Sequence, residues 1–138
     1  MLKNNFKQLD FKHLDLSECN LNTINIIGKR HSGKTTLAKE LMNYITVTYN
    51  IQKTVIFTPS DDYEHDVDND NVTISNSYTT EQLNNILDNQ RANRTSRLLI
   101  FDDCLYDINS SVINELLKNG RHYNLYVIIV SQFPLKFL

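Results

Sequence analysis

The chain has 138 residues, 41% hydrophobic and 22% charged, with a formal net charge of −2. That length and balance suit one soluble globule with a real core; they exclude collagen-like repeats, coiled coil and intrinsic disorder as the main reading. Near-neutral charge excludes a whole-domain basic footprint, so any nucleic-acid contact must be local. The two cysteines, Cys19 and Cys104, are far apart and lack CxxC spacing, which points to a reducing compartment. The longest apolar run, Leu125 to Val130, falls far short of the roughly 20 residues that span a bilayer. Met1 to Asn5 has no apolar signal region. The expected location is the cytoplasm, with no membrane partner.

In chain order, residues 1–20 fit neither periodic template cleanly and are read as a packed N-terminal arm. Residues 21–138 are read as one further domain. Thr23 to Ile27 reads as a buried strand ending at Gly28. From Lys34 to about Tyr49, Leu37, Ala38, Leu41, Met42 and Ile45 follow the helical period. Thr54 to Phe57 is a strand stopped by Pro59. An acidic loop, Ser60 to Asn71, leads to a short strand at Val72-Thr73-Ile74. Thr79 and Gln82 have capping-box spacing and open a helix with Leu83, Ile86 and Leu87 on one face. Arg97 to Phe101 is a strand delivering Asp102 and Asp103. Asn109 or Ser110 caps the next helix, which Gly120 ends, and Leu125 to Val130 is the last strand. Strands alternating with helices imply crossovers and a parallel sheet covered on both faces. The expected fold class is therefore α/β, a three-layer αβα arrangement.

Gly28-Lys29-Arg30-His31-Ser32-Gly33-Lys34-Thr35 matches G-x-x-x-x-G-K-[ST], the Walker A loop. The glycines let the backbone curl so that successive N–H groups face one concavity for phosphate oxygens. The helix that starts here adds the positive end of its dipole. Lys34 then reaches the β- and γ-phosphates and Thr35 coordinates Mg²⁺, which makes ATP with Mg²⁺ the expected ligand. Leu98 to Asp103, four apolar residues and two carboxylates, has the Walker B form. A buried strand would set Asp102 at the carboxyl edge of the sheet to hold the Mg²⁺ shell, with Asp103 free to polarise an attacking water. A third block, Asn119 to Asn124, exposes Arg121 before a strand that delivers Ser131-Gln132, where Gln132 senses the γ-phosphate or orients water.

This ordered set resembles the FtsK/HerA superfamily of DNA-pumping, RecA-like P-loop ATPases. Asn119 to Tyr123 and Phe101 to Cys104 look most like the genome-packaging ATPases of large double-stranded DNA viruses. The resemblance covers roughly residues 21 to 133. It implies an ATP-hydrolysing subunit of a double-stranded DNA translocase, working as a homo-oligomeric ring with capsid proteins as further partners. It also implies nucleotide and Mg²⁺ binding by Lys34 and Thr35, a metal-shell role for Asp102 and a general base at Asp103. Arg121 would be a finger on the neighbouring subunit's γ-phosphate, and Gln132 would couple nucleotide state to movement. The family's core sheet continues with a further strand and helix, whereas this sequence stops six residues after Gln132. The resemblance therefore implies a core cut short after its fourth core strand.

Two alternatives stand beside this reading. A small nucleoside or nucleotide kinase also opens with a P-loop, but needs an Arg-rich lid that the sequence lacks. A truncated nucleotide-binding module would bind without turnover. Asp66-Val67-Asp68-Asn69-Asp70 starts like a calcium loop but lacks the glycine and glutamate that such a loop requires. His13, His31, His65 and His122 share no metal spacing. Arg91, Arg94 and Arg97 read as a solvated helix end rather than a basic binding face.

Overall fold

The computed structural model describes residues 22–64, 70–105 and 110–133. The N-terminal arm, residues 65–69 of the acidic loop with all but Asp70 of the calcium-like run, and Asn109 fall outside the described residues. In chain order the elements are β1 (Thr23–Ile27), α1 (Lys34–Thr48), β2 (Lys53–Phe57), β3 (Val72–Ser75), α2 (Thr80–Asn93), β4 (Arg97–Asp102) and α3 (Ser111–Asn119). A 3-10 turn at Gly120–Tyr123 and β5 (Leu125–Ser131) follow. The strands form one sheet in the order β1-β5-β4-β2-β3, with every pairing parallel. All the carboxyl ends consequently meet along one edge. β5 lies between β1 and β4, so the loop after β1 and the carboxylates after β4 flank the end of the same strand.

Period-two alternation sorts the core. Leu98, Ile100, Ile128 and Val130 point to one face, where Ala38, Leu41, Met42 and Ile45 of α1 cover them. Leu99, Phe101, Val127 and Ile129 point to the other, against Leu83, Ile86 and Leu87 of α2 and Val112, Ile113 and Leu116 of α3. The αβα layering expected from the sequence is therefore present, and β4 and β5 are buried on both faces as their continuous apolar runs require.

The strand at Thr23–Ile27 departs from the expected burial. Among the described residues β1 pairs only with β5; Ile26 is buried, while Thr23, Asn25 and Ile27 are exposed, Ile27 by 51%. The inward residues Ile24 and Ile26 rest on the α1 side. An apolar run does not by itself distinguish an edge strand from a central one.

The helix caps follow local chemistry. Thr79 Oγ1 accepts from Gln82 N at 3.1 Å, and Ser110 Oγ accepts from Ile113 N at 3.2 Å, which resolves the choice between Asn109 and Ser110. Gly120 does follow α3, but in right-handed conformation (φ −53°), so it is not a left-handed stop. The chain reverses at Asn124, φ 63°. Gly120 instead packs closely on Leu125: a Cβ there would sit 3.3 Å from Leu125 Cδ2, a tight contact. Gln90, buried, donates to Thr95 O at 2.6 Å and Tyr123 O at 2.9 Å, tying the end of α2 to the turn before β5.

Ile128 is wholly buried on β5, between β1 and β4. Ile128→Ala should destabilise the fold by about 2–5 kcal/mol, read as a lower urea midpoint with unchanged slope. A midpoint within error of the parent would show that β5 is not the packed strand described.

Candidate active site

The turn from β1 into α1 has the backbone of a phosphate cradle. Gly28 N donates to Ser131 O at 3.1 Å, which fixes the start of the loop to the end of β5, and Ser32 N closes a turn on Lys29 O at 3.1 Å. His31 (φ 61°) and Gly33 (φ 88°) are both left-handed, the alternation that turns successive N–H groups inward. At Gly28 a Cβ would stand 2.5 Å from Ser32 Oγ, so a larger residue would force the Ser32 hydroxyl to turn away. Gly33 is the N-cap of α1 and offers no side chain, so the first N–H groups of the helix are left open to an anion.

Two side chains of α1 reach across to the end of β4. Lys34, only 8% exposed, makes an ion pair with Asp103 at 3.1 Å. Thr35 Oγ1 donates to Asp102 Oδ2 at 3.1 Å. The same Oδ2 accepts a 2.8 Å hydrogen bond from the Tyr63 hydroxyl. Asp103, more exposed, adopts a left-handed backbone (φ 53°) and its N–H donates to Val130 O at 2.9 Å. A non-glycine residue held in that conformation lets two adjacent carboxylates diverge, one into the sheet and one outward.

A cavity of about 720 Å³ opens here. The phosphate loop from Arg30 to Thr35, with Thr36 and Lys39, forms one wall; Thr58, Pro59, Ser60 and Asp62 after β2 form another. Asp102, Asp103 and the half-buried Gln132 close it. Lys34, Thr35, Asp102, Asp103 and Gln132 are thus gathered at one sheet edge. Gly28 and Lys29 shape the loop without lining the cavity. Arg121 is exposed in the turn before β5, at the opposite edge of the sheet, and is not brought together with the others.

The sequence reading missed Tyr63, which is wholly buried. Its signal was a lone aromatic in the polar run Ser60 to Asn71. Burial foremost, then the charge and hydrogen bond of Asp102, raise its phenol well above the usual range, so the hydroxyl remains a donor. Burial pushes the Cys104 thiol up to about 12; it donates to Phe57 O and is a core residue, not a nucleophile. Arg91 engages Asp88 at 3.3 Å and Glu115 at 3.2 Å, and Arg94 is the left-handed cap of α2, which agrees with a solvated helix end; Arg97 does not belong to it, since it opens β4 half-buried, with its Nε enclosed.

Among the described residues no group of three or more His, Cys, Asp or Glu forms a metal cluster. The donors present suit Mg²⁺, a hard cation usually held by one or two protein oxygens together with phosphates and water. Thr35 and Asp102 supply such oxygens next to the phosphate cradle. No helix among the described residues is long and apolar enough to cross a membrane.

A parallel sheet with a glycine-bordered anion loop on one strand, and paired carboxylates on the strand beyond its neighbour, defines the P-loop nucleoside triphosphatase fold. Residues 8–134 match the family model of the poxvirus A32 protein, and the chain belongs to that family. Among solved structures, it is similar to the genome packaging NTPase B204 from Sulfolobus turreted icosahedral virus 2 in complex with AMPPCP. That likeness has 19% identity and a TM-score of 0.55, covering 80% of this chain and 64% of that one. The ATP-gammaS complex of the same protein matches at 17% identity and TM-score 0.51, covering 80% and 65%. The DNA-packaging ATPase B204 from Sulfolobus turreted icosahedral virus matches at 17% and 0.54, covering 80% and 65%. The chain therefore spans just under two thirds of the length of these structures. Among curated proteins no match is found.

Asp102 carries a pH signature. Burial is the largest influence and raises its carboxyl above the ordinary 3.8; the Tyr63 and Thr35 hydrogen bonds lower it, Asp103 raises it and Lys34 lowers it. An acid with a raised folded-state value binds its proton more tightly when folded, so its ionisation opposes folding. Its stabilising contribution is present below 3.8 and is lost as pH rises through the folded value. In chelator, the stability of the parent relative to Asp102→Asn should fall as pH rises through that window, measured by urea unfolding at several pH values. A relative stability that rises with pH would refute the assignment.

Proposed function

We propose that the chain is an ATP-binding and ATP-hydrolysing subunit of a double-stranded DNA translocase that packages a viral genome. The observation that carries this reading is the pairing of Lys34 with Asp103 and of Thr35 with Asp102 across the phosphate loop. Family membership supports the packaging role, as does the likeness to a protein described as a genome packaging NTPase. In this reading the open N–H groups at the start of α1 bind phosphate oxygens, and Lys34 leaves Asp103 for the β- and γ-phosphates. Freed of Lys34, Asp103 accepts a proton from water, its outward-turned carboxylate facing the cavity. Thr35 and Asp102 would hold Mg²⁺, which when bound would neutralise charge on the phosphates. Gln132, at the end of β5, reports the γ-phosphate position to the sheet.

Arg121 stands at the far end of β5 from this site. Seven residues of strand at about 3.3 Å each separate them, roughly 23 Å. It does not serve its own chain's nucleotide, so a finger role requires a neighbour, as in a homo-oligomeric ring. Within the same reading, residues 21–138 are the ATPase domain behind an N-terminal arm, the capsid provides the docking partner, and the protein works in the infected-cell cytoplasm or virion. No observation favours the kinase or the inactive module.

Lys34→Ala should lower nucleotide affinity and abolish turnover, whereas Asp103→Asn should retain binding and lose hydrolysis. Equilibrium binding of a fluorescent ATP analogue and phosphate release with and without duplex DNA read both. Parent-level binding and hydrolysis in Lys34→Ala would remove the site assignment, and hydrolysis unaffected by DNA would count against translocation.

Arg121→Ala should keep ATP binding and lose on the order of 10³-fold in turnover. Mixing it with Lys34→Ala subunits, which still offer the arginine, should restore part of the rate. A mixture that gives only the sum of the separate rates would exclude action between subunits.

A further inference from the structure

Among the described residues outside the motifs, Tyr63 is wholly buried and is hydrogen-bonded to a carboxylate of the site. Tyr63 packs with Ile56, Ile100 and the core residues of α1, and its hydroxyl reaches Asp102 Oδ2 at 2.8 Å. Thr35 Oγ1 reaches the same oxygen at 3.1 Å. Most core tyrosines need only some acceptor for their hydroxyl, and a backbone carbonyl would serve. Here the acceptor is a side-chain carboxylate with two free torsions, so the bond fixes an orientation that the backbone alone leaves open.

Tyr63 is carried by neither a strand nor a helix. It stands on the loop after β2, whose residues Thr58, Pro59, Ser60 and Asp62 line the cavity opposite the phosphate loop. That loop is braced from within: Ser60 N donates to Thr58 Oγ1 at 3.2 Å, Asp62 N to Ser60 Oγ at 3.1 Å and Glu64 N to Asp61 O at 3.1 Å. The Lys39 ammonium of α1 lies 5.5 Å from the Tyr63 ring centroid. The phenol is thus held on one side by core packing and on the other by a braced loop, a rigid point from which to hold a carboxylate.

We propose that Tyr63 is a positioning residue that sets Asp102 and, through it, Thr35 for a divalent cation accompanying the nucleotide; this rests on the nucleotide-binding reading above. A hydroxyl has one proton and two lone pairs. With its proton committed to Asp102 Oδ2, Thr35 turns its lone pairs to a cation. Tyr63 keeps Oδ2 in the place where Thr35 meets it. Without the phenol, Asp102 retains Thr35 as its hydroxyl partner, and each then depends on the other for orientation. Partners of metal-holding groups typically contribute 10–100-fold to metal affinity.

The test is Tyr63→Phe, which keeps the ring that fills the core and removes only the hydroxyl. A fluorescent, non-hydrolysable ATP analogue is titrated in chelator and across Mg²⁺ concentrations, and Mn²⁺ occupancy of the nucleotide complex is followed by electron paramagnetic resonance. Affinity in chelator should stay within about twofold of the parent, while the Mg²⁺ and Mn²⁺ concentrations for half-maximal effect should rise about tenfold. On an Asp102→Ala background the same substitution should add nothing, because the acceptor shared by both hydroxyls is gone. An unchanged cation dependence in Tyr63→Phe would overturn the proposal. So would an equal loss of affinity with and without cation, which marks a merely structural role. A parent chain that binds no nucleotide under either condition would instead refute the reading on which the proposal rests.

Discussion

β5 is hydrogen-bonded in parallel register to β1 on one side and β4 on the other, and the distances between the phosphate loop and the carboxylate pair depend on that. Ile27 is level with Ser131, and Asp102 with Val130. The phosphate loop and the carboxylate pair leave the sheet one strand apart and at nearly the same height. A register slip of one residue on β5 would turn Ile128 and Val130 from the α1 side to the α2 and α3 side. It would also break the Gly28 to Ser131 and Asp103 to Val130 bonds that tie both loops to the same strand. The wholly buried alternation of β4 and β5 therefore protects the site's geometry as well as the core.

Polar contacts complete what the register begins. α1 delivers Lys34 and Thr35 four and three positions before Ala38, its first buried apolar residue, so the reaching side chains and the packed face belong to one rigid rod. Each finds a carboxylate at the end of β4, and the two carboxylates have different surroundings. Asp102 is enclosed and receives two hydroxyl donors, while Asp103 is turned out by its left-handed backbone and meets a single cation. The division of labour proposed for the pair rests on that difference in environment, since their side chains are chemically identical.

Much of this was legible in the sequence. The Walker spacing located the phosphate loop because the physics of the motif is local: two glycines, a lysine and a hydroxyl in fixed order. The strands at Arg97 and Leu125 were legible because burial on both faces leaves an unbroken apolar run. β1 gave the same run yet lies at the edge of the described sheet, since pairing partners are a tertiary property. Gly120 resembled a left-handed helix stop, but it is right-handed and packs closely on Leu125, five residues on. Tyr63 could not be read at all from spacing. It meets Asp102 across 39 residues, and only the parallel neighbourhood of β2 and β4 brings the two together.

The ion pair between Lys34 and Asp103 gives the site the character of an ion exchanger. Its one deeply buried ammonium is already neutralised by a carboxylate, so a small univalent anion that enters would have to replace that contact and leave Asp103 as an uncompensated charge beside itself. A polyphosphate spreads several negative oxygens over the loop's N–H groups as well as the ammonium, and so exchanges one contact for many. The pocket thereby favours ligands by charge multiplicity as well as by shape.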